Sequence, residues 1–242
     1  MRLDSFLAEN GFFNSRSKAQ SAIANGFVFI NGIKAEKPSL SVDGSEDIKV
    51  ISEERFVSRA GEKLSHALNE FGISVNGLTA LDIGASTGGF TDCLLQNGAK
   101  KVFALDVGKA QLAEKLRNDS RVTVIEGFNA RNARKADFDS DIDIIVMDVS
   151  FISQTLIYPA CADILDSGKL MITLVKPQFE AGRSNIGKGG IVKDKNGAII
   201  KEILEKLDFV ANENRFTRIG FTDSPIEGGD GNKEYLALFK KI

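Results

Sequence analysis

Leu81-Asp82-Ile83-Gly84-Ala85-Ser86-Thr87-Gly88-Gly89-Phe90 is the stretch on which the fold turns. A short apolar strand, Ala80–Ile83, runs into a glycine-rich turn, and the pattern predicts a helix over Phe90–Asn97 directly after it. Glycines let the backbone approach a ligand closely and take angles that other residues avoid. In an open parallel sheet a ligand sits at the carboxyl ends of the strands. The spacing Gly84-x-x-x-Gly88 departs from the G-x-G-x-x-G of dinucleotide-binding turns, and no Gly-Lys-Ser/Thr follows to make a P-loop.

Outward from that turn, strands and helices alternate. A helix over Arg59–Phe71 precedes it. Strand Lys101–Asp106, helix Ala110–Arg117, strand Val122–Glu126, strand Ile142–Asp148, helix Ser153–Leu165, strand Lys169–Lys176 and helix Asn196–Leu207 follow. Such alternation implies a parallel sheet covered on both faces. The last two strands, Phe216–Thr222 and Glu234–Phe239, have no helix between them and are predicted to pair antiparallel. Asp106 ends the second strand, where a carboxylate can accept both hydroxyls of a cofactor ribose. With the turn, it points to S-adenosyl-L-methionine, and Asp82, Gly84, Ser86, Gly88 and Gly89 join Asp106 as cofactor candidates. Asn129 either faces the adenine or caps its loop. Phe90 either lines the pocket or packs beneath the helix.

The first fifty residues have a different grammar. Helix Asp4–Glu9 stops at Asn10-Gly11; a second starts at Ser15, a side chain suited to capping, and ends at Asn25-Gly26. Phe27–Ile30 and Asn31-Gly32 read as a strand and a hairpin turn, and Ile48–Ile51 closes the unit. The expected division is a small α+β domain at 1–51, a linker at 52–57 and a Rossmann-like α/β domain at 58–242.

Composition excludes several function classes. No run approaches the roughly 18 apolar residues of a membrane span, and the first residues lack a signal-peptide pattern, so a cytoplasmic protein is expected. Cys93 and Cys161 lie far apart with no neighbouring metal-ligand residues, so they read as reduced core thiols and no metal is expected. His66 is the only histidine, which leaves a Ser-His-Asp mechanism little to build on. Net charge is −2, yet residues 176–201 carry Lys176, Arg183, Lys188, Lys193, Lys195 and Lys201 against Glu180 and Asp194. That local excess makes Arg183 and Lys188 RNA-binding candidates.

Two sets of motifs resemble known families. Arg2-Leu3-Asp4, Ser15-Arg16-Ser17-Lys18-Ala19, Ile23, Gly26, Val28, Asn31-Gly32 and Lys37-Pro38-Ser39 are similar to the S4 RNA-binding domain. The resemblance implies that Arg2, Arg16 and Lys18 meet RNA phosphates, which positions RNA without reading its sequence. Val57–Leu64, Asp82–Thr91, Asp148-Val149-Ser150-Phe151-Ile152-Ser153, Leu174–Glu180, Ser224-Pro225-Ile226 and Gly231-Asn232-Lys233-Glu234-Tyr235 resemble the TlyA (haemolysin A-like) ribosomal RNA methyltransferases, a branch of the FtsJ-like ribose methyltransferases. Phe56 stands where some relatives carry tryptophan.

The resemblance implies a seven-stranded, mostly parallel sheet, methylation of a cytidine 2′-oxygen in ribosomal RNA, and a Lys-Asp-Lys-Glu tetrad filled by Lys63, Asp148, Lys176 and Glu234. Ser58, in the first motif, is a further expected cofactor contact. Chemically the set makes sense: a ribose hydroxyl is a poor nucleophile until its proton is withdrawn, and carboxylates can orient two ammonium groups around it. Lys176 is expected to be the base or to orient the hydroxyl, with Asp148 its partner. The chain's extent suggests the family's short form, whose members modify the large subunit. The expected partner is ribosomal RNA within a subunit, with no membrane and no stable protein partner. Three rivals follow: a membrane-lysing toxin, as the family's older name suggests, which needs a span or a strongly amphipathic stretch; an assembly factor with a vestigial site, against which the complete tetrad argues; and a base methyltransferase, which would need no such tetrad.

Overall fold

The computed structural model describes every residue except Asn25, residues 51–54, Lys188, Lys195, Asp230 and the side chain of Arg183. The chain forms two units, Met1–Arg55 and Phe56–Ile242.

The first unit holds α1 (Leu3–Glu9), α2 (Arg16–Ala24) and strands β1 (Val28–Ile30), β2 (Ile33–Lys34) and β3 (Ile48–Val50), with antiparallel order β2-β1-β3. Ser15 Oγ accepts the Lys18 N–H at 3.3 Å, a capping bond at the start of α2. The predicted hairpin forms: Ile30 pairs with Ile33, and the two turn residues, Asn31 and Gly32, have φ of 50° and 78°. That is the handedness a two-residue turn needs to match the strand twist. Leu3, Leu7, Ala19, Ala22, Ile23 and Val28 make the core. The expected end of β3 at Ile51 and linker positions 52–54 lie outside the described residues, as do Asn25 at the predicted helix stop and Lys195 of the basic run.

The second unit is an α/β sandwich on a seven-stranded sheet. Its strands are β4 (Thr79–Ile83), β5 (Lys101–Asp106), β6 (Val122–Glu126), β7 (Ile144–Met147), β8 (Leu170–Val175), β9 (Phe216–Asp223) and β10 (Tyr235–Lys241). They run in the order β6-β5-β4-β7-β8-β10-β9. The first five are parallel; β10 is antiparallel to both β8 and β9, as the missing crossover helix predicts. Alternate residues of one strand feed opposite cores. Ile144 and Val146 face one layer with Leu64, Phe90 and Leu94, while Ile145 and Met147 face the other with Tyr158, Leu207 and Phe239. The helices are α3 (Ala60–Glu70), α4 (Gly89–Gln96), α5 (Glu114–Arg117), α6 (Tyr158–Ile164), α7 (Pro177–Glu180) and α8 (Ala198–Glu213). Both cysteines are buried free thiols, and burial pushes Cys161 up to about 12. Among the described residues no helix is long and apolar enough to cross a membrane.

Two expectations need correction. The helix expected from Ala110 is reduced to α5, because Ala110 sits at φ 56° and cannot start a right-handed turn. Phe56, expected in the linker, is 2% exposed and part of the second unit's core. Its ring lies so close to α3 that a β-carbon at Gly61 would come 2.3 Å from it. The next residue, Val57, donates its N–H to Asp92 of α4 at 2.9 Å. Phe56→Ala is therefore expected to lower the stability of the second unit by about 3–5 kcal/mol. Urea denaturation followed by a signal from that unit checks this, and a loss below about 1 kcal/mol would return Phe56 to the linker.

Candidate active site

A cleft of about 480 Å³ opens at the carboxyl ends of β4, β5 and β7. Gly84, Ser86, Asp106, Gly108, Gln111, Asn129 and Asp148 are among the residues that line it. Gly84 has φ 84°, and a β-carbon there would come 2.3 Å from the Asp148 carbonyl oxygen. Only glycine permits this approach. Asp106 is held by both oxygens: Oδ2 accepts the Ser86 N–H at 2.8 Å and Oδ1 the Gly108 N–H at 2.7 Å. A carboxylate so fixed keeps lone pairs for two vicinal hydroxyls. Asn129 lines the cleft, and its Oδ1 caps the following turn by accepting the Arg131 N–H at 3.1 Å.

The other cofactor candidates lie behind the cleft wall. Asp82 is fully buried and accepts from the Thr91 hydroxyl at 2.6 Å, tying β4 to α4. Burial, with the charges of Asp148 and Asp106, pushes its carboxyl up to about 7 against the Thr91 bond. Gly88, at φ 98°, precedes α4 and gives way to Leu112 and Leu116. Ser58 and Gly89 face each other; a β-carbon on Gly89 would meet Ser58 Oγ at 2.3 Å. Phe90 is buried in the core, so its role is packing.

The four tetrad residues form two ion pairs. Lys63 of α3 bonds to Glu234, both buried. Lys176, just past β8, lies 2.6 Å from Asp148, just past β7, and donates to Ser150 Oγ at 2.8 Å. The β8–β10 register pairs Val175 with Tyr235, and one step further brings Glu234 level with Lys176. Desolvating charges costs several kcal/mol per ion, so buried pairs are weak evidence of stability. Lys63–Glu234 is buried and Lys176–Asp148 half-buried, so one sheet edge carries two charged pairs close together. Among the described residues no group of three His, Cys, Asp or Glu could hold a metal ion.

In the first unit Asp4 is buried and gathers the basic candidates. It accepts from Arg2 Nε and Arg16 Nε, each at 3.0 Å, and from Gln20 at 2.6 Å. The Arg2 guanidinium holds its carboxyl well below the usual carboxylate range. Arg2 and Arg16 remain half exposed and Lys18 is exposed. Arg183 begins a 3-10 turn, Arg183–Asn185; its side chain and Lys188 lie outside the described residues.

Residues 56–241 match the FtsJ-like methyltransferase family, and residues 1–48 match the S4 domain. The chain belongs to the FtsJ-like methyltransferases. It is 50% identical over 241 residues to Hemolysin A of Brachyspira hyodysenteriae, with 99% of each chain covered. It is 40% identical over 239 residues to the 16S/23S rRNA (cytidine-2′-O)-methyltransferase TlyA of Mycobacterium tuberculosis, covering 97% of this chain and 88% of that one. A solved structure named for a hemolysin of Streptococcus thermophilus superposes with a TM-score of 0.78 at 44% identity, covering 100% of this chain and 88% of that one.

Within this FtsJ-like site, sequence reasoning missed three residues. Ser150 and Phe151 sat inside a quoted motif without a role. Phe151 is 92% exposed at the cleft mouth and has φ 65°, a conformation that costs an ordinary residue about 1–3 kcal/mol. Glu126 ends β6 as Asp106 ends β5, and that parallel was the available signal. Its carboxylate accepts the N–H groups of Ala110 at 2.9 Å and Gln111 at 3.2 Å, and pairs with Arg117. This holds the 110–112 wall of the cleft in its non-helical path. The Ala110 amide, followed by Arg117, lowers the Glu126 pKa from 4.5 to about 2. A depressed folded value means the stabilisation is complete above pH 4.5 and is lost as pH falls towards 2. The stability gap between wild type and Glu126→Gln, measured by urea denaturation, should therefore shrink as pH is lowered from 6 to 3. A gap that stays constant across that range would remove Glu126 from this role.

Proposed function

We propose that this chain transfers a methyl group from S-adenosyl-L-methionine to the 2′-hydroxyl of a cytidine in ribosomal RNA, with large-subunit RNA the first target to test. The observation that carries the reading is the Lys176–Asp148 pair at the rim of the cleft that Gly84 and Asp106 shape. The activity named for the M. tuberculosis relative supports it.

The cleft suits such a cofactor: a glycine turn packed close against the Asp148 backbone, and a fixed carboxylate for ribose hydroxyls. Asp106 would accept those hydroxyls, the backbone at Gly84–Ser86 would meet the methionine end, and Asn129 would meet the adenine. When bound, the cofactor supplies an electrophilic methyl on a sulfonium. The chain's residues then act on the acceptor. Lys176, steadied by Asp148 and Ser150, orients the 2′-hydroxyl and, in its neutral form, takes the proton as the oxygen–methyl bond forms. Lys63, held in place by its ion pair with Glu234, offers N–H donors to the acceptor at the same edge. Phe151 offers an exposed ring face on which an unstacked base can lie. Arg2, Arg16 and Lys18 supply phosphate contacts from the S4 unit, with Arg183 and Lys188 as further basic candidates on the second.

The deciding test is tritiated-methyl transfer to separated ribosomal subunits lacking the modification. Label should enter RNA of the large subunit, and Lys176→Ala should reduce transfer by at least about 100-fold while affinity for S-adenosylhomocysteine stays within a few-fold. Transfer that survives this substitution would exclude Lys176 from the chemistry.

Cofactor capture is tested separately. Asp106→Ala should weaken S-adenosylhomocysteine binding by about 1–3 kcal/mol in calorimetry. Unchanged affinity would take Asp106 out of the site.

A further inference from the structure

The loop from Val149 to Gln154 leaves β7 at Asp148, and Val149, Ser150, Phe151 and Ile152 line the cleft. The segment that follows β8 grips this loop twice. Lys176 makes the first grip, on Asp148 and Ser150. Glu180, at the end of α7, makes the second. One of its oxygens accepts the Ser153 hydroxyl at 2.6 Å and the other accepts the Gln154 N–H at 2.8 Å. Its side chain is 2% exposed, and Lys206 of α8 backs it at 3.1 Å. Gln154 is itself buried and accepts from the Tyr158 hydroxyl at 3.1 Å. Between the two grips Phe151 packs on Phe179 of α7, with ring centroids 5.2 Å apart.

A residue at positive φ persists where its surroundings over-determine it. Two anchors from one segment, at Ser150 and at Ser153–Gln154, bracket Phe151 and supply that constraint. We propose that Glu180 is a positioning residue for methyl transfer: it fixes the 149–154 loop so that Ser150 and Phe151 stand where the acceptor nucleotide meets Lys176. This rests on the ribose-methylation reading above. Glu180 stands apart from the cleft: its hydrogen bonds go to the loop's far end, at Ser153 and Gln154, and none of these three residues lines the cleft.

The test compares Glu180→Ala, Glu180→Gln and Ser153→Ala in the full chain, with ribosomal subunits as substrate. Glu180→Ala should lower kcat/KM for RNA at least about tenfold, with S-adenosylhomocysteine affinity within about threefold of wild type. Glu180→Gln keeps one acceptor, for the Gln154 N–H, while its NH2 can donate to Ser153 Oγ, so it should recover to within about threefold; Ser153→Ala should fall between. Amide exchange at 150–154 should quicken in Glu180→Ala and not in Glu180→Gln. Unchanged kcat/KM in Glu180→Ala overturns the proposal. So does a loss that Glu180→Gln fails to recover, or one matched by an equal loss of cofactor affinity. Should wild type methylate no RNA, the function reading falls, and the exchange measurement alone decides whether Glu180 holds the loop.

Discussion

The contact between Gly84 and Asp148 joins the two halves of the site. The turn after β4 lies so close to the end of β7 that a β-carbon on Gly84 would strike the Asp148 carbonyl, and Asp148 donates its N–H to Ile83 at 2.9 Å. The wall proposed to receive the cofactor is thus also the backbone that carries the partner of Lys176. A parallel sheet makes this arrangement natural, because adjacent strands end at one edge and their following residues meet there. The antiparallel β10 completes it by bringing Glu234 back to that edge from the far end of the chain. Moving either strand would separate cofactor cradle from acceptor chemistry, so fold and reaction share one constraint.

The S4 unit solves a different problem. A chain with net charge −2 must concentrate positive charge locally to hold RNA. Asp4 does so at the junction of α1 and α2, where it orders Arg2 and Arg16 while half of each side chain remains in solvent. The buried carboxylate costs desolvation, which four donors (Arg2, Arg16, Gln20 and the Ser5 amide) offset. The guanidinium groups are preorganised by this arrangement and, in the proposed role, would lose less freedom on meeting phosphate.

Much of the fold was legible because its signals are local. The Ala80–Phe90 turn, the Asn31-Gly32 hairpin and the helix-free connection between the last two strands each follow from a few neighbouring residues. What escaped depends on partners distant in sequence. The Ala110 segment reads as helical until Glu126, sixteen residues on, draws its amides into another path. Phe56 reads as linker until Gly61 leaves room for its ring. Ser58 and Phe90 stand in the right motifs, but the packing of α3 and α4 turns them away from the cleft. Glu180 and Phe151 were visible only as letters in a motif, since roles for them need the loop geometry. The tetrad positions came from resemblance, and what the geometry adds is their grouping into two ion pairs.

The acceptor in the proposed reaction is a ribose oxygen. A methyl group there blocks attack of the 2′-oxygen on the adjacent phosphate, so alkaline hydrolysis of RNA treated with enzyme and cofactor measures it most directly. The expected result is a ladder with one missing rung, at a cytidine, and 2′-O-methylcytidine among the released nucleosides. A continuous ladder, with methyl incorporation confirmed on the same RNA, would contradict it and place the methyl group on a base.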